Sequence, residues 1–195
     1  TYITLDGILN EGIYTLEKGK TFYTLLVYSE NIAGILNQIT AVFTRRQVNI
    51  ESLNVSASSI KGVHKYTITA WSDEDQIEKI TRQIEKKIDV VKATYYTDDE
   101  LFIRETGMYK LATDIVMQNP AISRLIRHHE GIIMEVNPTY VLAMKNGMTE
   151  DIMNLYYKLN EFGCVLQYTR SGRIAVTRST QEEVSEFIEQ REKNI

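Results

Sequence analysis

Asn31, Gly34 and Asn49 are the residues whose types and placement could do chemistry, and that chemistry is recognition rather than bond making. Asn31 stands where a short apolar run, Phe22–Tyr28, gives way to a helical pattern, and Gly34 lies in the first helical turn. The first amides of a helix lack intrahelical acceptors, and a glycine among them lets a ligand approach the backbone, so the pair suits a carboxylate. An asparagine amide both donates and accepts, and so can hold either charged end of an amino acid. Asn49 sits where the chain leaves that helix for the next strand. The same residues are also ordinary turn chemistry at a strand–helix junction, and spacing alone leaves both readings open.

Groups for catalysis are harder to find. The sequence has no nucleophile motif, no glycine-rich phosphate loop and no metal-ligand helix signature. Neighbours on a helix point about 100° apart, so His128-His129 suits a metal poorly and reads as a surface pair at a helix C-terminus, where cations are favoured. Cys164, next to Val165 and Leu166, reads as a small core residue. Arg45-Arg46 falls at a helix end. The expectation is a chain that senses a small molecule, with no catalytic and no metal-binding residues.

The elements that must position the asparagines follow from periodicity. After the strand Phe22–Tyr28, Ile35, Leu36, Ile39, Val42 and Phe43 mark one face of a helix over Ala33–Arg46. A strand Val48–Ala57, a turn at Ser58–Gly62 and a strand Val63–Trp71 follow. Leu53, Val55 and Ala57, then Tyr66, Ile68 and Ala70, alternate as a sheet with one covered face requires. A second helix, Asp73–Lys87, carries the stripe Ile77, Ile80, Ile84 and Ile88, with Ser72 and Asp75 resembling a capping box. A strand Asp89–Tyr96 closes a βαββαβ order, the split βαβ arrangement, and the fold class is α+β. Asp98-Asp99-Glu100 reads as a solvated linker.

The pattern then repeats. A strand Arg104–Ala112 precedes a helix over Ile115–His129 that Pro120 should break or restart. Strands Ile132–Val136 and Tyr140–Lys145 flank a turn at Asn137-Pro138, and a helix Thr149–Glu161 presents Ile152, Leu155, Tyr156 and Leu159. Strands Cys164–Tyr168 and Arg173–Val176 close this unit, and Gln181–Lys193 forms a last helix capped by Thr180 and Glu183. Two ferredoxin-like sandwiches in tandem are expected, over residues 22–98 and 99–180, with an N-terminal extension 1–21 and a C-terminal helix 181–195.

At 195 residues there is room for two small domains. The apolar fraction of 43% and charged fraction of 25% are ordinary for a soluble protein, and the net charge of −4 argues against nucleic acid. No window approaches the roughly 20 apolar residues of a membrane span. A single cysteine fits a reducing cytoplasm.

The stretch TLLVYSENIAGILNQITAVFTRRQVNIESLNVSAS resembles the small, regulatory subunit of acetolactate synthase (acetohydroxyacid synthase). The shared elements are Glu30, Asn31, Gly34 and Leu36 in the turn, and Asn49–Leu53, NIESL, in the strand. RETGMYKLATD, EVNPTYVLAM and RSGRIAV fit the second domain of that family. Ile32-Ala33 replaces a more polar pair, and Gln47 stands where glycine is usual. The resemblance implies an N-terminal ACT domain whose homodimer binds an effector at its interface. The effector implied by the resemblance is valine, with leucine or isoleucine as alternatives, in feedback control of branched-chain amino acid biosynthesis. Carried over, the site comprises Asn31, Gly34 and Asn49, with Ala33, Ile35, Leu36 and Ile50 beside them and Asn49 contributed across the interface. The implied partner is the catalytic large subunit, which would carry thiamine diphosphate, magnesium and FAD, with no cofactor on this chain. The rival expectation is a stand-alone ACT-type sensor controlling another enzyme or a transcription factor.

Overall fold

The computed structural model describes residues 19–179 together with 184, 185, 188 and 189. The expectations for the N-terminal extension and for the cap at Thr180 fall outside the described residues, while 184, 185, 188 and 189 of the expected last helix are helical. Among the described residues, 19–103 and those from Arg173 onward form one compact unit, and Arg104–Gly172 belong to a second.

The first unit runs β1 (Thr21–Glu30), α1 (Ile35–Arg45), β2 (Ile50–Ala57), β3 (Val63–Ser72), α2 (Glu74–Glu85) and β4 (Val90–Tyr96). The strands pair antiparallel in the order β2-β3-β1-β4, so β2 is an edge. Ile39, Ile68, Ala70, Ile77, Ile80 and Ile84 are fully buried between the helices and the sheet. Two members of the expected helical stripes stay outside this core. Leu36 is 40% exposed, because it lies a full 100° round the helix from Ile35. Ile88 is 98% exposed, because α2 has already ended at Glu85. The α2 cap is Asp73, whose Oδ1 accepts from the Gln76 amide at 2.8 Å; Ser72 instead ends β3.

The sheet is covered on both faces, where alternation predicted one. Besides Tyr23, Leu25 and Val27 on the helix side, Thr24, Leu26 and Tyr28 of β1 and Thr67 and Thr69 of β3 are buried. The returning chain meets this second face. The Lys65 ammonium donates to the Ala175 carbonyl at 3.0 Å, and the Arg173 guanidinium lies 4.5 Å over the Phe22 ring. Arg173, only 3% exposed, also binds Asp98 at 2.8 Å, so the acidic stretch 98–100 is anchored and not a free linker. The near-continuous apolar run of β1 is what a strand buried on both sides needs.

The second unit contains most of β5 (Leu101–Ala112), then α3 (Thr113–Gln118), α4 (Pro120–His128), β6 (Ile132–Val136), β7 (Tyr140–Gly147), α5 (Thr149–Asn160) and β8 (Val165–Arg170). Pro120 restarts the helix as its first residue, with the Asn119 side chain accepting from the Ala121 amide. The strand order β6-β7-β5-β8 repeats that of the first unit. The last strand, β9 (Ile174–Thr177), pairs with β5 yet falls in the first unit, since Arg173 holds Asp98 and the Arg178 amide donates to the Glu100 carbonyl. Each unit is thus an antiparallel sheet packed on helices in the βαββαβ order, the ferredoxin-like fold.

Candidate functional site

The turn between β1 and α1 is built so that its helix starts uncapped. Gly34 is the N-cap, at φ 90° and ψ −9° in the left-handed region, and no side chain caps the helix. The Asn31 amide donates to the Gly62 carbonyl at 3.1 Å, which pins the turn to the β2–β3 connection. Ile32 donates back to Glu30 at 3.0 Å, and Ile35 to Ile32 at 3.3 Å. Among the described residues the amides of Leu36 and Asn37 have no acceptor. Two N–H groups at a helix start, carrying the positive end of its dipole, are what a carboxylate requires. A Cβ built on Gly34 would meet nothing within 4 Å, so the backbone conformation, not crowding, is what calls for glycine here.

Asn31, Ala33, Gly34 and Leu36 are exposed together on this turn, whereas Ile35 turns its side chain into the core and commits its amide to Ile32. Asn49 and Ile50 are elsewhere in the same chain. Glu30 lies opposite Val63, while Ile50 lies opposite Ala70 on the same strand. The two asparagine regions are therefore separated by seven residues of β3, roughly 23 Å at about 3.3 Å per residue. A single chain cannot close both around one amino acid.

Two further residues at the turn's end of the sheet escaped the sequence reading. Ile32 is 43% exposed, and Val55, expected in the core, is 37% exposed on the edge strand β2. Val55 faces Tyr66, three positions from Val63, so it lies toward the end of β2 nearer the turn. The signal for Ile32 was available: a large apolar residue directly after Asn31, in the turn and ahead of the helical stripe that begins at Ile35.

The remaining sequence candidates lie apart from this site. Cys164 is fully buried, its Sγ 3.3 Å from the Leu159 carbonyl, and burial pushes its thiol up. His128 ends α4 and His129 is its C-cap. Partial burial, then the positive charges of Lys158, His128 and Lys145, hold the His129 imidazole below its ordinary value, against the cation expected at this position. Lys158 Nζ lies 3.1 Å from His129 Nε2, and Lys145 donates to the His129 carbonyl. Among the described residues no group of three or more His, Cys, Asp or Glu is placed to hold a metal, and no helix is long and apolar enough to cross a membrane.

Comparison with known proteins agrees over both units. A family model described as the acetohydroxyacid synthase small-subunit-like ACT domain matches residues 25–92, and one described as the small subunit of acetolactate synthase matches residues 104–179. The acetolactate synthase small subunit of Bacillus subtilis is 30% identical over 167 residues, covering 85% of this chain and 95% of that protein. The Haemophilus influenzae small subunit is 30% identical over 79% of this chain and 94% of that protein. The crystal structure of the Thermotoga maritima small subunit shares the fold, with a TM-score of 0.73 and 23% identity over 82% of this chain and 99% of that one. With an uncapped, exposed helix start in its ACT domain and relatives matched along nearly their whole length, this chain belongs to the acetolactate synthase small-subunit family.

Proposed function

We propose that this chain is a regulatory, non-catalytic subunit that forms a dimer through its ACT domains and binds a branched-chain amino acid, valine first, between two copies. In the cytoplasm it would activate the thiamine-diphosphate-dependent catalytic subunit of acetolactate synthase and carry feedback inhibition to it. The observation that carries the reading is the separation of Asn31 from Asn49 within one chain, beside an unpaired edge at β2. In an antiparallel, two-fold pairing of β2 with its twin, the start of one β2 lies beside the end of the other. The end of β2 is the end of the sheet where Asn31 and Gly34 sit, since Ala57 faces His64 and Glu30 faces Val63. The second copy would then bring its Asn49 and Ile50 to the first copy's helix start.

The free Leu36 and Asn37 amides would take the carboxylate, the asparagine side chains the ammonium, and Leu36 with Ile32 the aliphatic side chain. Burying a valine-sized group yields roughly 1.5–3 kcal/mol, and charge-assisted hydrogen bonds about 1.5–3 kcal/mol each. After association costs, a net of about −4 to −8 kcal/mol corresponds to millimolar to micromolar affinity, suited to feedback. Calorimetric titration of the wild-type chain with valine, and of Asn31→Ala, tests the site. Heat in the first and none in the second is expected, with Asn31→Ala still activating the catalytic subunit and no longer passing on inhibition. Joint loss of activation and inhibition would remove the separable effector site. Failure to co-purify with a catalytic subunit would favour a stand-alone sensor.

A further inference from the structure

The first sheet is buried on both faces, but the second sheet, of the same strand order, leaves the face away from its helices open. Register identifies what stands there. Tyr109, Val141 and Ala143 point to the helices and are buried, so their neighbours Met108, Lys110, Leu142 and Met144 occupy the other face. Ile132 of β6 pairs with Met144, which itself pairs with Met108, and this row crosses three strands. Met108 is 39% and Ile132 56% exposed, and all five residues of β6, IIMEV, are exposed. An apolar row running onto an unpaired edge strand is the feature that isolated sheets avoid.

The next row carries charge. Glu135 and Lys110 both pair with Leu142, from opposite sides, which sets them two strand spacings apart, roughly 10 Å. Tyr140 fixes both: its hydroxyl donates to Glu135 Oε1 at 3.0 Å, and Lys110 Nζ lies 4.4 Å over its ring. The face thus holds an apolar row and, beside it, one acid and one base in line. A two-fold axis through that row turns Glu135 onto Lys110 of the other copy and the reverse, while the apolar residues meet each other. This is the self-complementarity an isologous contact demands.

We infer that the open face of the second sheet packs against the same face of a second copy, sheet on sheet, forming a self-association seam separate from the effector turn. The paired sheets bury Met108, Ile132, Leu142 and Met144, and methionine-rich surfaces adapt well to such contacts.

Sedimentation equilibrium of the full chain tests this. Met108→Glu weakens self-association at least tenfold. Lys110→Glu and Glu135→Lys each weaken it, because each sets like charges opposite one another. The double variant Lys110→Glu with Glu135→Lys restores it, since the exchanged charges pair again across the axis. A catalytic partner occupying this face gives no such rescue, its own charges being unchanged. An unaltered dissociation constant for Met108→Glu, or weakening by the single charge variants without rescue by the double, overturns the inference. Circular dichroism confirms folding, and if Met108→Glu does not fold the charge set alone decides. Valine calorimetry on the same variants reads the effector site separately, so failure here leaves that reading to its own test.

Discussion

Gln47 and Glu130 are non-glycine residues held at positive φ, 55° and 57°, and each ends a helix in the same way. After α1, the Val48 amide donates to the Phe43 carbonyl and the Gln47 amide to Thr44; after α4, Gly131 donates to Ile126 and Glu130 to Arg127. Both are Schellman motifs with the wrong residue at the left-handed position, where glycine is usual. A side chain there costs about 1–2 kcal/mol, while glycine costs roughly 0.5–1 kcal/mol of extra chain entropy on folding. Gln47→Gly is therefore expected to stabilise the protein by about 0.5–1 kcal/mol, read as a raised urea midpoint at unchanged slope, with valine binding unaltered. His129 makes a second prediction at this scale. Its imidazole is held below the ordinary value, so folding favours the neutral form. That stabilisation is complete above the ordinary pKa of about 6.5 and is lost as the pH falls through the folded value. Wild type should lose more stability than His129→Gln between about pH 7 and pH 5 in paired urea titrations.

The elements were legible wherever a period spoke for them. The stripes Ile35, Ile39, Val42, Phe43 and Ile77, Ile80, Ile84 placed α1 and α2 correctly, and Pro120 marked the restart of α4. Leu36 and Ile88 show the limit, since apolar identity says nothing of where a helix ends or which turn leaves the core. The second cover on the first sheet was hidden for another reason. It depends on Arg173 meeting Asp98 across seventy-five residues, a contact no local window contains. At the site, the helix start was readable from Asn31 and Gly34. The distance to Asn49 needed the β1–β3 and β2–β3 registers, which only pairing reveals. Packing between strand and helix gives a prediction here. A Cβ on Gly107 of β5 would lie 2.4 Å from Ile152 Cγ2 and 2.9 Å from the Tyr109 hydroxyl, which donates to the Ile152 carbonyl at 2.7 Å. Gly107→Ala should therefore destabilise by about 1–3 kcal/mol through overpacking, seen as a lower thermal midpoint.

For the molecule as an assembly, the separation of Asn31 from Asn49 along β3 means that the proposed effector site would be a property of pairs of chains. If each site takes Asn31 from one copy and Asn49 from the other, a two-fold dimer holds two such sites. Asn31→Ala abolishes both sites of its own dimer, and Asn49→Ala does the same. A mixed dimer of the two variants concentrates both defects in one site and leaves the other with both asparagines intact. Random exchange makes about half of the dimers mixed, so about one quarter of all sites should recover. Mixing two silent variants, warming to exchange chains and titrating with valine should then yield heat with a stoichiometry near that fraction and wild-type affinity. A site assembled within one chain gives no recovery at any mixing ratio. Dilution offers the same test from the other side: ligand that binds only the dimer must tighten it, so valine should lower the dimer dissociation constant, and apparent valine affinity should fall as the protein is diluted through it. Affinity independent of protein concentration, together with no recovery on mixing, would place the binding energy inside one copy, against the distance that the sheet register sets between the two asparagines.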